Sequence, residues 1–409
     1  MPLKQSLFAY AALSIFAGSA YAQSGVTIYG VVDVGYINAK TNGSGNNADT
    51  QASTNVIGNS AEQTSRLGFK GNEDFGNGMV AFFTAETDLQ PSNASLSTWQ
   101  SRQAFAGIGK AGIGQLAFGT QYTPIFNQLS ASDVGNTNNM PGSAVYPVYS
   151  AGSTTAGGAF SDNAGVGGIS NALTVRTQST LSLQTANLAG FKISGIYTLR
   201  NDTLSQNKSG TLAVTNNYTG WGLSTDYTWK RLYVGLAYQS LKSNNLGQGT
   251  CTATQIGAGN TNCSSTAFSP TPRGWTTASG GVNTQDNQYY GALTYDFELL
   301  KIYFQYVNRK AINTIDSNYF ASRTAQQIGM RLFFTSSIES WVNIGNGKHT
   351  NYGNNAISSG FSAWQLGLNY YFSKRTNLYA IYGSETEAAN AVNSNTAANG
   401  FALGVRTLF

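Results

Sequence analysis

The chain has few charged residues for its length. Charged side chains make up 10% of its 409 residues, whereas a soluble domain carries roughly 25%. Its mean hydropathy is nevertheless only −0.21. Beyond the N-terminus no apolar run approaches the roughly 18 residues that a membrane-spanning helix needs. The composition therefore argues against an ordinary charged soluble domain and against a helical membrane protein.

Histidine and cysteine are also scarce, with one and two residues respectively. Ester hydrolysis by the usual route requires a nucleophile, a general base and an orienting partner. The single histidine, His349, lies in the polar segment GNGKHTN, where nothing fixes it beside a serine. Glu86 and Asp88 share one strand face but are better explained as channel charges than as a glycosidase pair. The sequence predicts no catalytic residue, no cofactor and no metal site.

The N-terminus has the pattern of a secretory signal. MPLK is a positively charged start, LFAYAALSIFAG is an apolar core, and Ala20-Tyr21-Ala22 is a cleavage motif. We therefore expect a signal peptide at residues 1–22 and one domain at residues 23–409. Cys251 and Cys263 lie in a Gly/Asn/Thr-rich stretch. In an oxidising compartment this spacing predicts a disulfide within one loop.

The mature chain carries little net charge. Without Lys4 it has 22 basic and 18 acidic residues, a net charge of +4. These charges are dispersed along the chain and are too few for a nucleic-acid interface. We therefore expect no nucleic-acid partner.

Segments that alternate apolar and polar residues dominate the mature chain. In WQLGLNYYF, Trp364, Leu366 and Leu368 alternate with Gln365 and Asn369. Such period-two runs of about ten residues predict β-strands. We count sixteen of them, near residues 26, 65, 79, 102, 115, 173, 191, 221, 232, 288, 301, 325, 339, 361, 376 and 401.

The connectors between these strands alternate in length. The short ones are NEDFGNG, GKAGIG, NLAG, KR, FELL, TSSI and SKRT. The long polar ones cover residues 40–64, 89–101, 121–170, 200–220, 241–287, 309–324, 345–360 and 384–400. An outer-membrane barrel has this asymmetry, with short periplasmic turns and long extracellular loops. A soluble secreted β-protein is the alternative, but it has no reason to place every long loop at one end.

The closing segment FALGVRTLF supports the same architecture. Lipid offers no hydrogen bonds, so a sheet that spans a membrane must close on itself. We expect this last strand to pair with the first, VTIYGVVDVGY, and Phe409 to lie in the periplasmic aromatic girdle. The fold class is therefore all-β, a 16-stranded antiparallel transmembrane β-barrel.

Residue parity places basic side chains on the inner wall of this barrel. Leu67 and Phe69 face outwards, so Arg66 and Lys70 face inwards, as do Arg102 and Arg176 in their own strands. Sixteen strands enclose an aqueous channel.

The third long loop is expected to fold into this channel and narrow it. Between residues 121 and 168 it carries two acids, Asp133 and Asp162, and no basic residue. Acidic loop residues that face a basic wall would select ions.

Two segments and the terminal Phe resemble the trimeric general porins of Gram-negative bacteria, closest to the neisserial and β-proteobacterial branch. The segments are GFKGNEDFGNGMVAFFTAE and RQAFAGIGKAGIGQLAFGTQYTP. The resemblance covers the whole mature chain. It implies a third loop folded into the pore opposite wall arginines, whose positions match Arg66, Arg102 and Arg176.

The resemblance also implies a homotrimer, weak anion preference and recognition of the C-terminal Phe409 by the barrel-assembly machinery. Outer-membrane lipids and lipopolysaccharide are the expected surroundings. In one respect the chain departs from the family. Members often carry a G-R-Q pattern at the start of the third loop, whereas this chain has Gly119-Thr120-Gln121, which implies weaker selectivity.

The sequence thus predicts a general diffusion porin in the outer membrane of a Gram-negative bacterium. A substrate-specific channel for sugars or for aromatic or organic acids is the main alternative, because Tyr122, Tyr146 and Tyr149 lie in the third loop. An adhesin or purely structural barrel is a third interpretation. It is less favoured because a ring of this width conducts unless something plugs it.

Overall fold

A computed structural model of the chain describes residues 25–45, 48–92, 101–147, 174–200, 216–245, 284–313, 320–352, 357–388 and 396–409. These residues form seventeen strands and one helix: β1 (Gly25–Gly45), β2 (Ala48–Asn59), β3 (Arg66–Gly76), β4 (Met79–Asp88), β5 (Ser101–Lys110), β6 (Gly114–Tyr122), α1 (Pro124–Ser132), β7 (Arg176–Thr185), β8 (Phe191–Arg200), β9 (Asn216–Trp229), β10 (Leu232–Asn245), β11 (Thr284–Asp296), β12 (Leu300–Asn313), β13 (Phe320–Phe333), β14 (Ile338–Tyr352), β15 (Ile357–Tyr371), β16 (Thr376–Glu387) and β17 (Thr396–Leu408). The predicted signal peptide, Asp162, Cys251 and Cys263 lie outside the described residues.

The strands close into a barrel with sixteen positions. Each strand from β3 to β16 pairs antiparallel with its successor, and β17 pairs antiparallel with β1, with Val34 opposite Val405. The first half of β1 also pairs with β3, and its second half with β2. Among the described residues β2 pairs with β1 alone. Strands β2 and β3 therefore share one position in the ring. The predicted sixteen-stranded closed barrel, with its last strand paired to its first, is confirmed.

The prediction of a polar loop at residues 40–64 is wrong. Strand β1 continues to Gly45, and β2 returns antiparallel to it as far as Asn59, with Tyr36 opposite Ile57. Val56 and Ile57 are adjacent, and both are exposed. This segment therefore lacks the alternation of apolar and polar residues that marks a strand in the sequence. Its β-branched residues nevertheless favour a strand. What remains irregular is the short stretch from Ser60 to Ser65.

The two faces of the sheet differ as expected for a membrane barrel. Trp364, Leu366 and Leu368 are 42–49% exposed on the outside. Between them Gln365 is fully buried, and Asn369 is buried too. Lipid can surround the apolar face, whereas the polar face lines the interior, where water and other side chains satisfy it.

At one end of the barrel, short turns connect neighbouring strands. Asn77 and Gly78 join β3 to β4, and Lys230 and Arg231 join β9 to β10. Asn77, Gly78 and Lys230 all have positive φ, which gives the backbone twist that tight hairpins require. Among the described residues no helix is long and apolar enough to cross a membrane.

Candidate pore constriction

The third loop begins with helix α1. The side chain of Thr123 accepts a hydrogen bond from the backbone N–H of Phe126 at 3.1 Å, and Pro124 occupies the first turn, so the helix has a favourable N-terminus. Ile125, Phe126 and Leu129 are buried. The helix packs against the inner side of β9, β10 and β11. The loop therefore enters the barrel directly after β6.

Buried amides on the inner wall bind the rest of the described loop. The Gln365 amide donates to the carbonyl oxygens of Met140 and Pro141, both at 2.8 Å. The Gln327 side-chain oxygen accepts from the backbone N–H of Ala144 at 2.9 Å. Both glutamines are at most 1% exposed. Because these backbone groups have no helix or sheet partner, the wall amides satisfy them and fix the loop to the wall.

The loop also contacts a glycine and two arginines of the inner wall. A Cβ atom at Gly383 would collide with the carbonyl oxygen of Pro141, so glycine permits close contact there. The guanidinium groups of Arg331 and Arg323 donate to the carbonyl oxygens of Val134 and Ala144. The loop is thus anchored to several neighbouring strands.

A cavity of about 320 Å³ remains between this loop and the opposite wall. Four arginines line it: Arg66 from β3, Arg102 from β5, Arg176 from β7 and Arg406 from β17. The described residues that line it include no aspartate or glutamate. The cavity therefore has a positively charged lining.

Arg102 is held in place by two carboxylates of the neighbouring strand. Its Nε lies 2.7 Å from Oε1 of Glu86, and its Nη1 lies 2.9 Å from Oδ1 of Asp88. Its Nη2 donates to the hydroxyl oxygen of Tyr122 at 3.0 Å. The side chains of Arg102 and Glu86 are 8% and 3% exposed. Much of the charge of Arg102 is therefore balanced by the wall itself.

The positive charges of Arg66 and Arg176 are compensated less by nearby carboxylates. The Nε atom of Arg66 is 3.8 Å from Oε2 of Glu86, which already pairs with Arg102. Among the described residues no carboxylate lies within 4.0 Å of the Arg176 guanidinium group. These two arginines offer the cavity the least compensated positive charge.

Arg406 is a cavity residue that sequence reasoning did not assign to the constriction. It follows Val405, which is 44% exposed on the outer face, so the alternation of the strand places Arg406 on the inner face. Its Nε donates to Asn377 at 3.0 Å and lies 3.4 Å from Oε2 of Glu62. Nearby, Gln63 and Thr64 also line the cavity, and no local pattern in the sequence indicated them.

Two of the residues predicted for the constriction lie away from this cavity lining. Asp133 is 4% exposed, and its carboxylate accepts from the backbone N–H of Thr137 at 2.6 Å and from the Gln327 amide at 3.4 Å. Burial raises the pKa of Asp133. The ammonium group of Lys70 lies 5.3 Å from the ring centre of Tyr29 and is not part of the lining.

The sequence matches a known family over most of its length. Residues 9–390 match the family described as Gram-negative porin. The chain is 29% identical over 268 residues to an outer membrane porin protein of Bordetella pertussis, an alignment that covers 62% of this chain. It spans 63% of that relative's length.

Solved structures share the fold. The anion-selective porin from Comamonas acidovorans matches with a TM-score of 0.65 and 18% identity, over 95% of this chain and 100% of that one. The trimer form of OmpT from Vibrio cholerae matches with a TM-score of 0.58 and 14% identity, over 94% of this chain and 99% of that one.

Proposed function

Because the chain belongs to the family of Gram-negative porins, which lie in the outer membrane, we propose that it is a general diffusion channel with a weak preference for anions. Ions and small hydrophilic solutes would cross it passively, down their concentration gradients. The observation that carries this proposal is the cavity lined by four arginines, with no carboxylate among its described lining residues.

The mechanism needs no step other than diffusion through a charged constriction. A ring of sixteen positions is too wide for side chains to fill, and the wall-bound third loop narrows it. Three carboxylates lie within 4.0 Å of the four arginines: Glu86 and Glu62, which are buried, and Asp88, which is half-buried. One positive charge is therefore left in excess, so the local concentration of anions rises relative to that of cations.

A substrate-specific channel is the second candidate. Tyr122, Phe126 and Tyr146 line the same cavity as the arginines, and the ring centres of Tyr122 and Phe126 are 4.7 Å apart. Tyr149 lies outside the described residues. Such a channel would show current block by one class of solute at low concentration, whereas a general channel would not.

Several further features are proposed with this function. The chain forms a homotrimer in contact with outer-membrane lipids and lipopolysaccharide, which the trimer form of the similar OmpT barrel supports. The barrel-assembly machinery recognises Phe409, whose side chain is 47% exposed. Residues 1–22 are removed as a signal peptide, and Cys251 and Cys263 form a disulfide. Porins are channels rather than enzymes, and we propose no enzymatic activity.

Liposome swelling tests the proposed function. Purified protein is reconstituted into liposomes, which are then diluted into iso-osmotic arabinose. Swelling that scales with the amount of protein is the expected result, because arabinose is small, hydrophilic and uncharged. Liposomes that contain folded protein and swell no faster than empty ones would contradict the proposal.

The anion preference is expected to increase as the pH falls. Glu62 is 4% exposed, and its neighbours are Arg406 at 3.4 Å, Asn377 at 3.0 Å and the negative groups of Asp33 and Glu339. Burial raises the pKa of Glu62, and Arg406 only partly opposes this. Glu62 therefore takes up a proton at a higher pH than an ordinary glutamate, and the charge of Arg406 is then left uncompensated at the cavity.

The measurement is the reversal potential in a salt gradient as the pH is lowered. A Glu62→Gln variant should show the stronger anion preference already at neutral pH and should lose this step of the titration. If the variant and the wild type have the same pH profile, Glu62 is not the group responsible.

A further inference from the structure

The chain folds inwards a second time, between β2 and β3. Residues 60–65, which we call the inner elbow, leave the sheet at Ser60, whose φ is 69°. Ala61 is 1% exposed and Glu62 is 4% exposed, so the elbow lies against other parts of the protein and not in bulk solvent. A positive φ at a residue other than glycine is uncommon and persists where the surroundings impose it.

A buried aspartate of the first strand imposes this conformation. Asp33 is fully buried. One of its carboxylate oxygens accepts from the backbone N–H groups of Glu62 at 2.8 Å and Gln63 at 2.7 Å. The other accepts from the hydroxyl of Tyr379 at 2.6 Å. A carboxylate that receives three hydrogen bonds in a buried position fixes the elbow strongly.

The inner elbow is also joined to the third loop. The backbone N–H of Asn139 donates to the carbonyl oxygen of Ala61 at 2.9 Å. The Asn139 side-chain amide donates to the carbonyl oxygen of Ser60 at 2.6 Å and to the hydroxyl of Thr64 at 3.1 Å. The elbow and the loop therefore form one connected surface on the inside of the barrel.

Two elbow side chains reach the cavity. Gln63 and Thr64 line it, and the Gln63 side-chain oxygen accepts from Arg406 at 3.3 Å. We propose that the inner elbow is a second constriction element and that the side chain of Gln63 helps to set the size limit for solutes. This inference rests on the proposed function as a diffusion channel. It concerns size and not charge, because Gln63 is neutral.

Neutral sugars of increasing size, tested by liposome swelling, separate this effect from ion selectivity. Gln63→Ala should shift the size limit to larger sugars, and Gln63→Trp should shift it to smaller ones. Both variants keep the bond to Asp33, which uses the backbone N–H of residue 63. Asn127→Ala is the matched control, because Asn127 is exposed on α1 and does not line the cavity.

The outcomes separate this inference from the proposed function. Opposite shifts in the two variants, with an unchanged control, would support the elbow as a constriction element. An unchanged limit in both variants would overturn it and leave the channel function standing. Shifts in the same direction would also overturn it, because they would report a disturbed fold and not side-chain volume. If the wild type admits no sugar at all, the channel function itself fails.

Discussion

A double variant, Arg66→Gln with Arg176→Gln, is expected to lose the anion preference of the wild type and to shift in selectivity toward cations. These two arginines line the cavity and carry the least compensated charge on its wall. A unit charge about 4 Å from a passing ion contributes about 1 kcal/mol in water, or roughly a fivefold change in occupancy. Because the same charge attracts anions and repels cations, the ratio of anion to cation permeability, measured from the reversal potential, should fall at least roughly fivefold in the double variant, which leaves two arginines beside three carboxylates.

Arg102 is kept in this variant because its loss would change more than selectivity. Its guanidinium group satisfies the buried carboxylate of Glu86 at 2.7 Å. Removing one partner of a buried ion pair costs about 3–5 kcal/mol of folding stability. A change in conductance could then arise from a damaged wall.

The matched control removes the same amount of positive charge, two arginines, from the short turns at one end of the barrel. Arg231 and Arg375 are exposed there, and Arg231 pairs with Glu298 on the surface. Arg231→Gln with Arg375→Gln should leave the reversal potential close to that of the wild type, because water and salt screen these charges. If both double variants shift selectivity equally, the cavity arginines have no special role.

Gln365→Ala is expected to loosen the third loop inside the barrel. The Gln365 side chain is fully buried. Its amide nitrogen donates hydrogen bonds to the side-chain oxygen of Asn138 and to the carbonyl oxygens of Met140 and Pro141 in the loop. Each buried polar group left without a partner costs about 1–3 kcal/mol. The variant should therefore unfold at a lower temperature on heating in detergent, and its open-channel current should be noisier.

Gln326→Ala is the control for this prediction. Gln326 precedes Gln327 in β13 and donates to Asn346 at 3.1 Å in an exposed position. The Gln326→Ala variant loses a hydrogen bond from a glutamine amide, as Gln365→Ala does, but this bond does not involve the third loop. Thermal stability and current noise that change equally in both variants would contradict the assignment of Gln365 as an anchor of the loop.

The part of the fold that meets lipid could be predicted from the sequence. Lipid enforces strict alternation, so a strand such as the one that contains Trp364 and Leu366 has a visible period of two. Strand β2 could not be recognised in this way. Val56 and Ile57 are adjacent and both exposed, so the pattern of one apolar and one polar face disappears.

The candidate site was only partly visible in the sequence. Strand parity places Arg66, Arg102 and Arg176 on the inner face, and the structure arranges all three around one cavity. Their role in selectivity stays a prediction. The direction of the Asp133 side chain depends on a loop backbone that wall residues of distant strands determine, and no local pattern encodes it. The same is true of Gln63, whose position follows from hydrogen bonds to Asp33.

The most direct measurement is the reversal potential of the purified wild-type protein in a planar bilayer with a tenfold gradient of potassium chloride. A perfectly selective pore would give about 59 mV, and a weakly selective one gives a fraction of this value. We expect large conductance and a potential whose sign shows that chloride passes more readily than potassium. A large conductance with the opposite sign would contradict the arginine-lined constriction, and no conductance at all would contradict the channel itself.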